Sequence, residues 1–312
     1  MGLPPKTNSA PRSGQPVRAV SANLDALYAE AAHVVRTRSR TFHFATRFFP
    51  PDLARAVHSI YWYCSHTLSL TREARTVDQG HLDLDRWHSL VSGGLRGRIA
   101  HHPVLEVFLQ SVDRCGIPHE CALELIEGAR MDLDHQRYRS FSQLRGHCYR
   151  TTGMASVMMA HAVGFRGPAP EQMAEIGTAS GLTTLLRRTG EDLDRGRVYL
   201  PLEEMEGFGY LESDLYERKR NSAFYSLMQF QAERIRQHFE KGRPGLGLLD
   251  ARGRFAARVA FDLSLQTLNH LESSGFDIFT RRAAMPAVER YWITARNMAG
   301  PITRHLWKSV GA

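Results

Sequence analysis

The sequence Arg-Arg-Thr-Gly-Glu-Asp-Leu-Asp-Arg-Gly-Arg-Val-Tyr-Leu-Pro, residues 187 to 201, joins an acidic turn to an Arg-Gly-Arg-aromatic segment. Carboxylates bind metal ions, and guanidinium groups bind phosphate oxygens through paired hydrogen bonds. Just before and within this stretch, Thr184, Arg188 and Asp192 follow one another at four-residue spacing. Side chains four residues apart share one face of a helix. The stretch therefore indicates a site that can hold both a polyphosphate and a metal ion.

A second informative stretch, Tyr-Trp-Tyr-Cys-Ser-His-Thr-Leu-Ser-Leu-Thr-Arg, occupies residues 61 to 72. The two stretches resemble the signatures of squalene and phytoene synthases. That family usually has an aromatic-Cys-Arg segment leading into Asp-Asp-x-x-Asp, and later Asn-x-x-x-Asp-x-x-x-Asp. Here the position after the Cys is Ser65, and the metal-ligand positions are held by Leu68, Ser69, Arg72, Thr184, Arg188 and Asp192. The chain has therefore lost most of the expected carboxylates and gained two arginines.

The resemblance extends over roughly residues 25 to 305. Residues 39 to 42, followed by Pro50-Pro51, are similar to the Ser-Lys-Ser-Phe segment that opens the family's active site. Residues 131 to 134 and 147 to 154 are similar to its middle segments. The resemblance implies an all-α isoprenoid-synthase fold, with both signatures on facing helices across a central active-site cavity.

The apolar residues recur at three- and four-residue spacing, which is typical of amphipathic helices, and no convincing strand series is present. Between the Gly and Pro breakers we predict helices near residues 22–37, 40–49, 52–72, 82–94, 103–115, 118–137, 140–165, 170–193, 213–240, 251–273 and 286–309. Residues 1–20, rich in Pro, Ser and Gly, are predicted to form a disordered tail. Residues 21–312 are predicted to form one domain.

The composition narrows the range of partners. The 312 residues carry a net charge of +8, mostly from arginine, which favours an anionic ligand. No basic run is interleaved with aromatic residues, so nucleic acid is not an expected partner. No stretch of about 18 apolar residues or signal-peptide core occurs, so no membrane span is predicted. The four cysteines form no Cys-x-x-Cys pair, which favours reduced thiols and a cytoplasmic location. A homo-oligomer is left open.

The sequence predicts a cationic pocket for a prenyl diphosphate donor. Its predicted members are Ser39, Arg40, Thr41, Arg72, Arg187, Arg188, Arg195, Arg197 and Tyr199. An arginine keeps its charge and can neutralise a leaving diphosphate. The alternative is that these arginines pair with Glu191, Asp192 and Asp194 as ordinary surface salt bridges, which are individually weak.

Asp192, aided by Glu191, is the predicted metal site. One carboxylate with diphosphate oxygens and water can hold a single Mg²⁺, so we expect few ions and partial independence from metal. The alternative role for Asp192 is to pair with Arg195 at a helix end. Arg72, Arg188 and Asp192 are the predicted catalytic residues, together with Asp132 as a candidate base.

Head-to-head condensation needs two successive ionisations, which this reduced carboxylate set suits poorly. The sequence is therefore interpreted as a prenyltransferase of secondary metabolism that moves a prenyl group to a carbazole- or indole-like acceptor and releases pyrophosphate. The predicted acceptor pocket consists of Tyr61, Ser65, His66, Leu68, Gly181 and Thr184, with Gly181 expected to enlarge the cavity. The alternatives are a head-to-head squalene- or phytoene-type synthase and a non-catalytic binding or assembly protein.

Overall fold

The computed structural model describes residues 24–47, 49–99 and 101–279, without the side chains of residues 40, 41 and 45. These residues form α-helices, one π-helical turn and two isolated bridge pairs, and no β-strand occurs among them. The all-α prediction is confirmed. The predicted tail at 1–20 and the predicted helix at 286–309 lie outside the described residues.

The α-helices are, in chain order, α1 (Leu24–Arg38), α2 (Arg40–Thr46), α3 (Pro51–Glu73), α4 (Val77–Leu95), α5 (Pro103–Cys115), α6 (His119–Asp134), α7 (Phe141–Cys148), α8 (Met154–Val163), α9 (Ala169–Arg187), α10 (Thr189–Leu193), α11 (Leu202–Gly207), α12 (Glu212–Tyr216), α13 (Ser222–Gly242), α14 (Gly245–Leu248) and α15 (Ala251–Ser273). The π turn, Tyr149–Gly153, joins α7 to α8. None of the described helices is long and apolar enough to cross a lipid bilayer.

Local signals explain most of the helix boundaries. Pro51 and Pro103 open α3 and α5, where their missing N–H groups cost nothing. The Thr76 side chain caps α4 by accepting the N–H of Gln79. The predicted helix 213–240 is instead split, because Arg218 takes a left-handed conformation with φ of 54° and the Asn221 side chain caps a new helix, α13.

Two hydrophobic clusters hold the helices together. The first joins α3, α4, α5 and α6, and in it Tyr63 stacks on Phe108 at 3.9 Å and donates its hydroxyl to the Ala122 carbonyl. The second is built around α9 and α13 and contains the fully buried Phe224 and Phe239. Burial of one such large apolar side chain contributes on the order of 1.5–3 kcal/mol. The clusters fix α3, which carries the first altered signature, and α9, on which the second begins; the predicted helix 170–193 breaks at Arg188, so the second signature continues into α10.

The predicted helix 140–165 is interrupted by the π turn. Within the turn the Thr151 and Thr152 hydroxyls donate to the carbonyls of His147 and Cys148, and hydroxyls that bond back in this way bend helices. A Cβ on Gly181 would overlap the Thr152 hydroxyl, so this glycine lets the turn pack closely on α9. Gly181 lines the cavity, and the expectation that it enlarges the cavity stays a prediction.

Candidate active site

A cavity of about 560 Å³ lies where the last turn of α3, the end of α6, the π turn and the α9–α10 region meet. This volume lies within the range of small-molecule pockets. The described residues that line it are Leu68, Thr71, Arg72, Ala74, Asp132, His147, Cys148, Thr151, Thr152, Gly181, Thr184, Leu185, Arg188, Asp192, Arg195, Arg197 and Tyr199. Both altered signature segments therefore reach the same cavity.

The last turn of α3 contributes an exposed arginine to the cavity. Leu68 and Arg72 lie one turn apart and both line the wall, as their four-residue spacing predicts. Arg72 forms no ion pair with any carboxylate in the described part of the chain. Its guanidinium charge acts on the hydroxyl of Tyr61 and opposes the rise that burial causes in the pKa of that tyrosine. Arg72 is thus available to an anion.

The junction between α9 and α10 contains paired charges. Arg188 lies 3.3 Å from Glu191 and 3.5 Å from Asp192, and Arg195 lies 3.9 Å from the same Asp192 oxygen, Oδ1. Asp194 is paired elsewhere, with Arg218 at 2.6 Å. The predicted phosphate-binding role and the alternative ion-pair role are therefore compatible here, since Arg188 and Arg195 contact carboxylates while lining the cavity.

Asp192 is the buried centre of this junction. Burial raises the pKa of its carboxyl, Arg188 and Arg195 oppose that rise, and the charge of Asp132 adds to it. Its Oδ2 is buried and has no hydrogen-bond partner among the described residues. The Asp192 backbone carbonyl accepts the N–H groups of Arg195 and Arg197, at 3.0 and 2.9 Å, and so orients the segment that follows.

A hydrogen-bonded group of four side chains also lines the cavity. Tyr199 donates its hydroxyl to Asp132 Oδ1 at 2.9 Å, and Arg197 donates to the Tyr199 hydroxyl at 3.3 Å. His147 Nε2 lies 3.5 Å from the same Asp132 oxygen, and its Nδ1 donates to the Gly128 carbonyl at 3.1 Å. Burial and the adjacent Asp132 charge raise the pKa of the Tyr199 hydroxyl, so it stays protonated as a donor.

The sequence prediction missed several lining residues. His147, Cys148, Thr151 and Thr152 come from the end of α7 and the π turn. A signal was present, because His147 and Thr151 are four residues apart in a segment already noted for its family resemblance. Apolar periodicity reports neither the π turn nor the side-chain to backbone bonds within it.

Three predicted acceptor residues do not line the cavity. Tyr61 stacks on Phe42 at 5.3 Å, and Ser65 accepts a hydrogen bond of 2.7 Å from Arg38, so α1 and α2 cover that part of α3. His66 lies against Trp87, with ring centroids 4.6 Å apart. An aromatic acceptor wall in this cavity is therefore not formed by these side chains.

Four predicted diphosphate-binding residues remain: Ser39, Arg40, Thr41 and Arg187. Ser39 interacts with the Tyr61 hydroxyl, outside the described cavity lining. The side chains of Arg40 and Thr41 lie outside the described residues. Arg187 is half-buried away from the cavity lining, and burial lowers the pKa of its guanidinium.

The residues present do not fit a cluster of Mg²⁺ ions. Within the described ranges, no group of three or more His, Cys, Asp or Glu side chains could hold a metal ion. The predicted pair is not formed at the cavity, since Glu191 is exposed and turned to Arg188 instead of lining the wall. Asp192 Oδ1 faces two guanidinium groups and its Oδ2 is buried.

Comparisons with known proteins support the family that the two signatures suggest. The sequence profile of squalene/phytoene synthase matches residues 35–289. A 15-cis-phytoene synthase of Synechocystis sp. is 31% identical over 288 residues, covering 86% of this chain and 83% of the relative. A second one, from Synechococcus elongatus, is also 31% identical over 288 residues, covering 87% and 92%.

Solved structures share the fold. A dehydrosqualene synthase superposes with a TM-score of 0.82 at 20% identity, covering 90% of this chain and 98% of that chain. The squalene synthase HpnC of Alicyclobacillus acidocaldarius gives a TM-score of 0.76 at 20% identity, covering 82% and 97%. At this level of identity the likeness concerns the fold alone.

The prediction of transfer to a carbazole- or indole-like acceptor is wrong. The relatives that match most of the chain at about 30% identity are named phytoene synthase, and Tyr61, Ser65 and His66 do not line the cavity. The profile match, which spans residues 35–289, and the two cyanobacterial relatives agree. The chain belongs to the squalene/phytoene synthase family, whose members are prenyl-transferring enzymes.

Proposed function

We propose that the protein is a phytoene-type synthase, like the relatives named 15-cis-phytoene synthase, and that it joins two allylic prenyl diphosphates head to head. The observation that carries the proposal is 31% identity to such a relative over 86% of this chain. In this reaction two allylic C–O bonds break and two diphosphates leave. Joining the carbon skeletons without a reductant then requires the loss of two protons.

The arginines are suited to the leaving group. Negative charge develops on the diphosphate as the C–O bond breaks, and fixed cations placed around it lower that barrier. Arg72 reaches the cavity from α3, while Arg188, Arg195 and Arg197 reach it from the α9–α10 side. The two sets can therefore contact one diphosphate from different directions.

Asp132 is the proposed proton acceptor. It is buried at the cavity wall, where it accepts the Tyr199 hydroxyl and lies near His147. A carboxylate positioned by such contacts can take a proton from a carbocation formed beside it. Tyr199 is a positioning residue in this scheme, because its donated hydrogen bond orients the carboxylate.

The test is incubation of the full-length protein with prenyl diphosphates of increasing chain length, followed by mass spectrometry of the extract and a pyrophosphate assay. We expect a coupled hydrocarbon and two pyrophosphates for each product molecule. Asp132→Asn should lower turnover by about 100-fold or more. Asp85→Asn is the matched control, since Asp85 lies on the surface of α4 and pairs with Arg130.

A second candidate is a relative that binds prenyl diphosphates without converting them. It is favoured by Thr184 and Arg188, which stand where the family usually has ligand residues, and by the lack of a metal-ligand group among the described side chains. Saturable binding of prenyl diphosphate with no pyrophosphate released at any chain length would support this candidate and contradict the first.

A further inference from the structure

The charge on the cavity wall is positive. Four arginines, Arg72, Arg188, Arg195 and Arg197, line it, against two aspartates, Asp132 and Asp192. Four positive charges less two negative charges leave an excess of two. Such a wall attracts an anion and repels a free divalent cation.

Asp192 offers no open oxygen to a metal ion in this arrangement. Its Oδ1 faces Arg188 at 3.5 Å and Arg195 at 3.9 Å, and its Oδ2 is buried. The Asp192 side chain is only 9% exposed. One oxygen of this carboxylate therefore faces cations, and the other is enclosed by protein.

The second aspartate is engaged as well. Asp132 Oδ1 accepts the Tyr199 hydroxyl and lies 3.5 Å from His147. Its contacts are those of a positioned hydrogen-bond acceptor, and no third carboxylate of the described chain lines the cavity with it.

We propose that this cavity binds the diphosphate group through its arginines, without a metal ion, and that Asp192 pairs with Arg188 and Arg195 only until the diphosphate replaces it. The inference rests on the proposed function for its substrate class. Arg72 supplies an unpaired cation from α3, and Arg188 and Arg195 supply cations that can turn from Asp192 to phosphate oxygens. Guanidinium groups suit this task because they bind phosphate through two hydrogen bonds and keep their charge.

Asp192→Asn distinguishes a diphosphate held by metal from one held by arginines, because the two arrangements predict opposite changes in pyrophosphate affinity. If a metal held the diphosphate, Asp192→Asn would weaken binding, because it removes the remaining ligand at the signature position. If arginines hold it, Asp192→Asn removes a carboxylate that competes with the diphosphate for Arg188 and Arg195. Pyrophosphate affinity should then rise by about three- to tenfold.

The experiment is isothermal titration calorimetry of the full-length protein with inorganic pyrophosphate, once in EDTA and once in Mg²⁺. We expect the affinity in EDTA to equal or exceed that in Mg²⁺ within about threefold. Arg72→Gln should weaken binding in EDTA by about tenfold. Arg86→Gln is the matched control, because Arg86 is exposed on α4 and pairs with Asp83 outside the cavity.

Three results would overturn the proposal: binding in Mg²⁺ but not in EDTA, binding in neither, or equal weakening by Arg72→Gln and Arg86→Gln. A circular dichroism spectrum of each variant, compared with the parent, separates misfolding from lost contacts, and the rise expected for Asp192→Asn cannot arise from misfolding. Binding in EDTA without turnover would keep this inference and reject the proposed synthase. Turnover with strictly metal-dependent binding would do the reverse.

Discussion

The last turn of α3 and the junction between α9 and α10 line the same cavity, but they hold their arginines differently. Arg72 on α3 is exposed and has no ion-pair partner among the described carboxylates. Arg188 at the junction lies against Glu191 and Asp192. Arg72 can bind an anion without giving up an existing contact, whereas Arg188 must exchange a carboxylate for a phosphate oxygen. The same substitution should therefore have different effects at the two places.

Charge reversal should give the largest effect. Arg72→Asp or Arg188→Asp replaces attraction of the diphosphate by repulsion, and we expect pyrophosphate affinity to fall by about 100-fold or more. Calorimetry in EDTA measures the loss, with Arg86→Asp as the control on the outer surface. Unchanged affinity of Arg188→Asp for pyrophosphate in EDTA would contradict the arginine site.

Neutral substitution tests the difference between the two arginines directly. Arg72→Gln should lower pyrophosphate affinity by about tenfold. Arg188→Gln should lower it less, because Arg188 must give up its contacts with Glu191 and Asp192 to bind the ligand. Side-by-side titrations of the two variants measure the ratio. Equal losses would mean that the pairs at the junction do not compete with the ligand.

The junction should also affect stability in a pH-dependent way. Burial raises the pKa of Asp192, so the folded state binds this proton more tightly than the unfolded chain does. Stability therefore falls as the pH rises from the ordinary carboxyl range, about 4, through the raised pKa. Asp192→Asn avoids this loss, so its melting temperature should exceed that of the parent at neutral pH.

Thermal melts of the parent and Asp192→Asn at several pH values check this expectation. The difference should shrink as the pH approaches about 4, where the unfolded carboxyl also becomes protonated. Asp85→Asn, at an exposed position on α4, is the control for a lost carboxylate. A lower melting temperature for Asp192→Asn at neutral pH would mean that its ion pairs outweigh its burial.

The smallest effect is expected from His66, which lies on α3 outside the cavity lining. Burial lowers the pKa of His66 to about 4, with help from His102 and Arg38. The folded state then binds fewer protons than the unfolded chain between that value and the ordinary histidine range, about 6.5. The associated stability is present above this window and is lost as the pH falls through it.

His66→Phe removes this titration and keeps an aromatic ring against Trp87. Its melting temperature should fall less than that of the parent between neutral and mildly acidic pH, and prenyl diphosphate turnover should be unchanged because His66 does not line the cavity. His119→Gln, at an exposed position, is the control for a lost histidine. Strongly reduced turnover in His66→Phe would contradict this expectation and would indicate that His66 acts in the active site.

Helix positions were predictable where the signals are local. The predicted helices 103–115 and 251–273 coincide with α5 and α15, because a proline at one start and apolar periodicity throughout are written in adjacent residues. The spacing of Leu68 with Arg72, and of Thr184, Arg188 and Asp192, also agrees with their positions in the cavity lining. Short-range geometry is a property of the helix itself, so it survives in any tertiary context.

Helical spacing could not predict that other helices cover Tyr61 and Ser65. Both lie on the stripe of α3 that leads to Leu68 and Arg72, and their spacing alone gives them the same orientation. Phe42 and Arg38, from two earlier helices, close off that part of the stripe. Of the predicted acceptor residues on α3 only Leu68 lines the cavity, because a shared helix face does not guarantee a shared cavity.

By itself the sequence determined the all-α fold, the two altered signatures and the surplus of arginine over carboxylate, since these depend on residue identity and helical spacing. Only the tertiary structure decided which arginines pair with Asp192, which remain available, and that His147, Thr151 and Thr152 join the wall through the π turn. The physical reason is that ion pairs and burial depend on distances between segments far apart in the chain, and hydrophobic packing of α3 and α9 sets those distances.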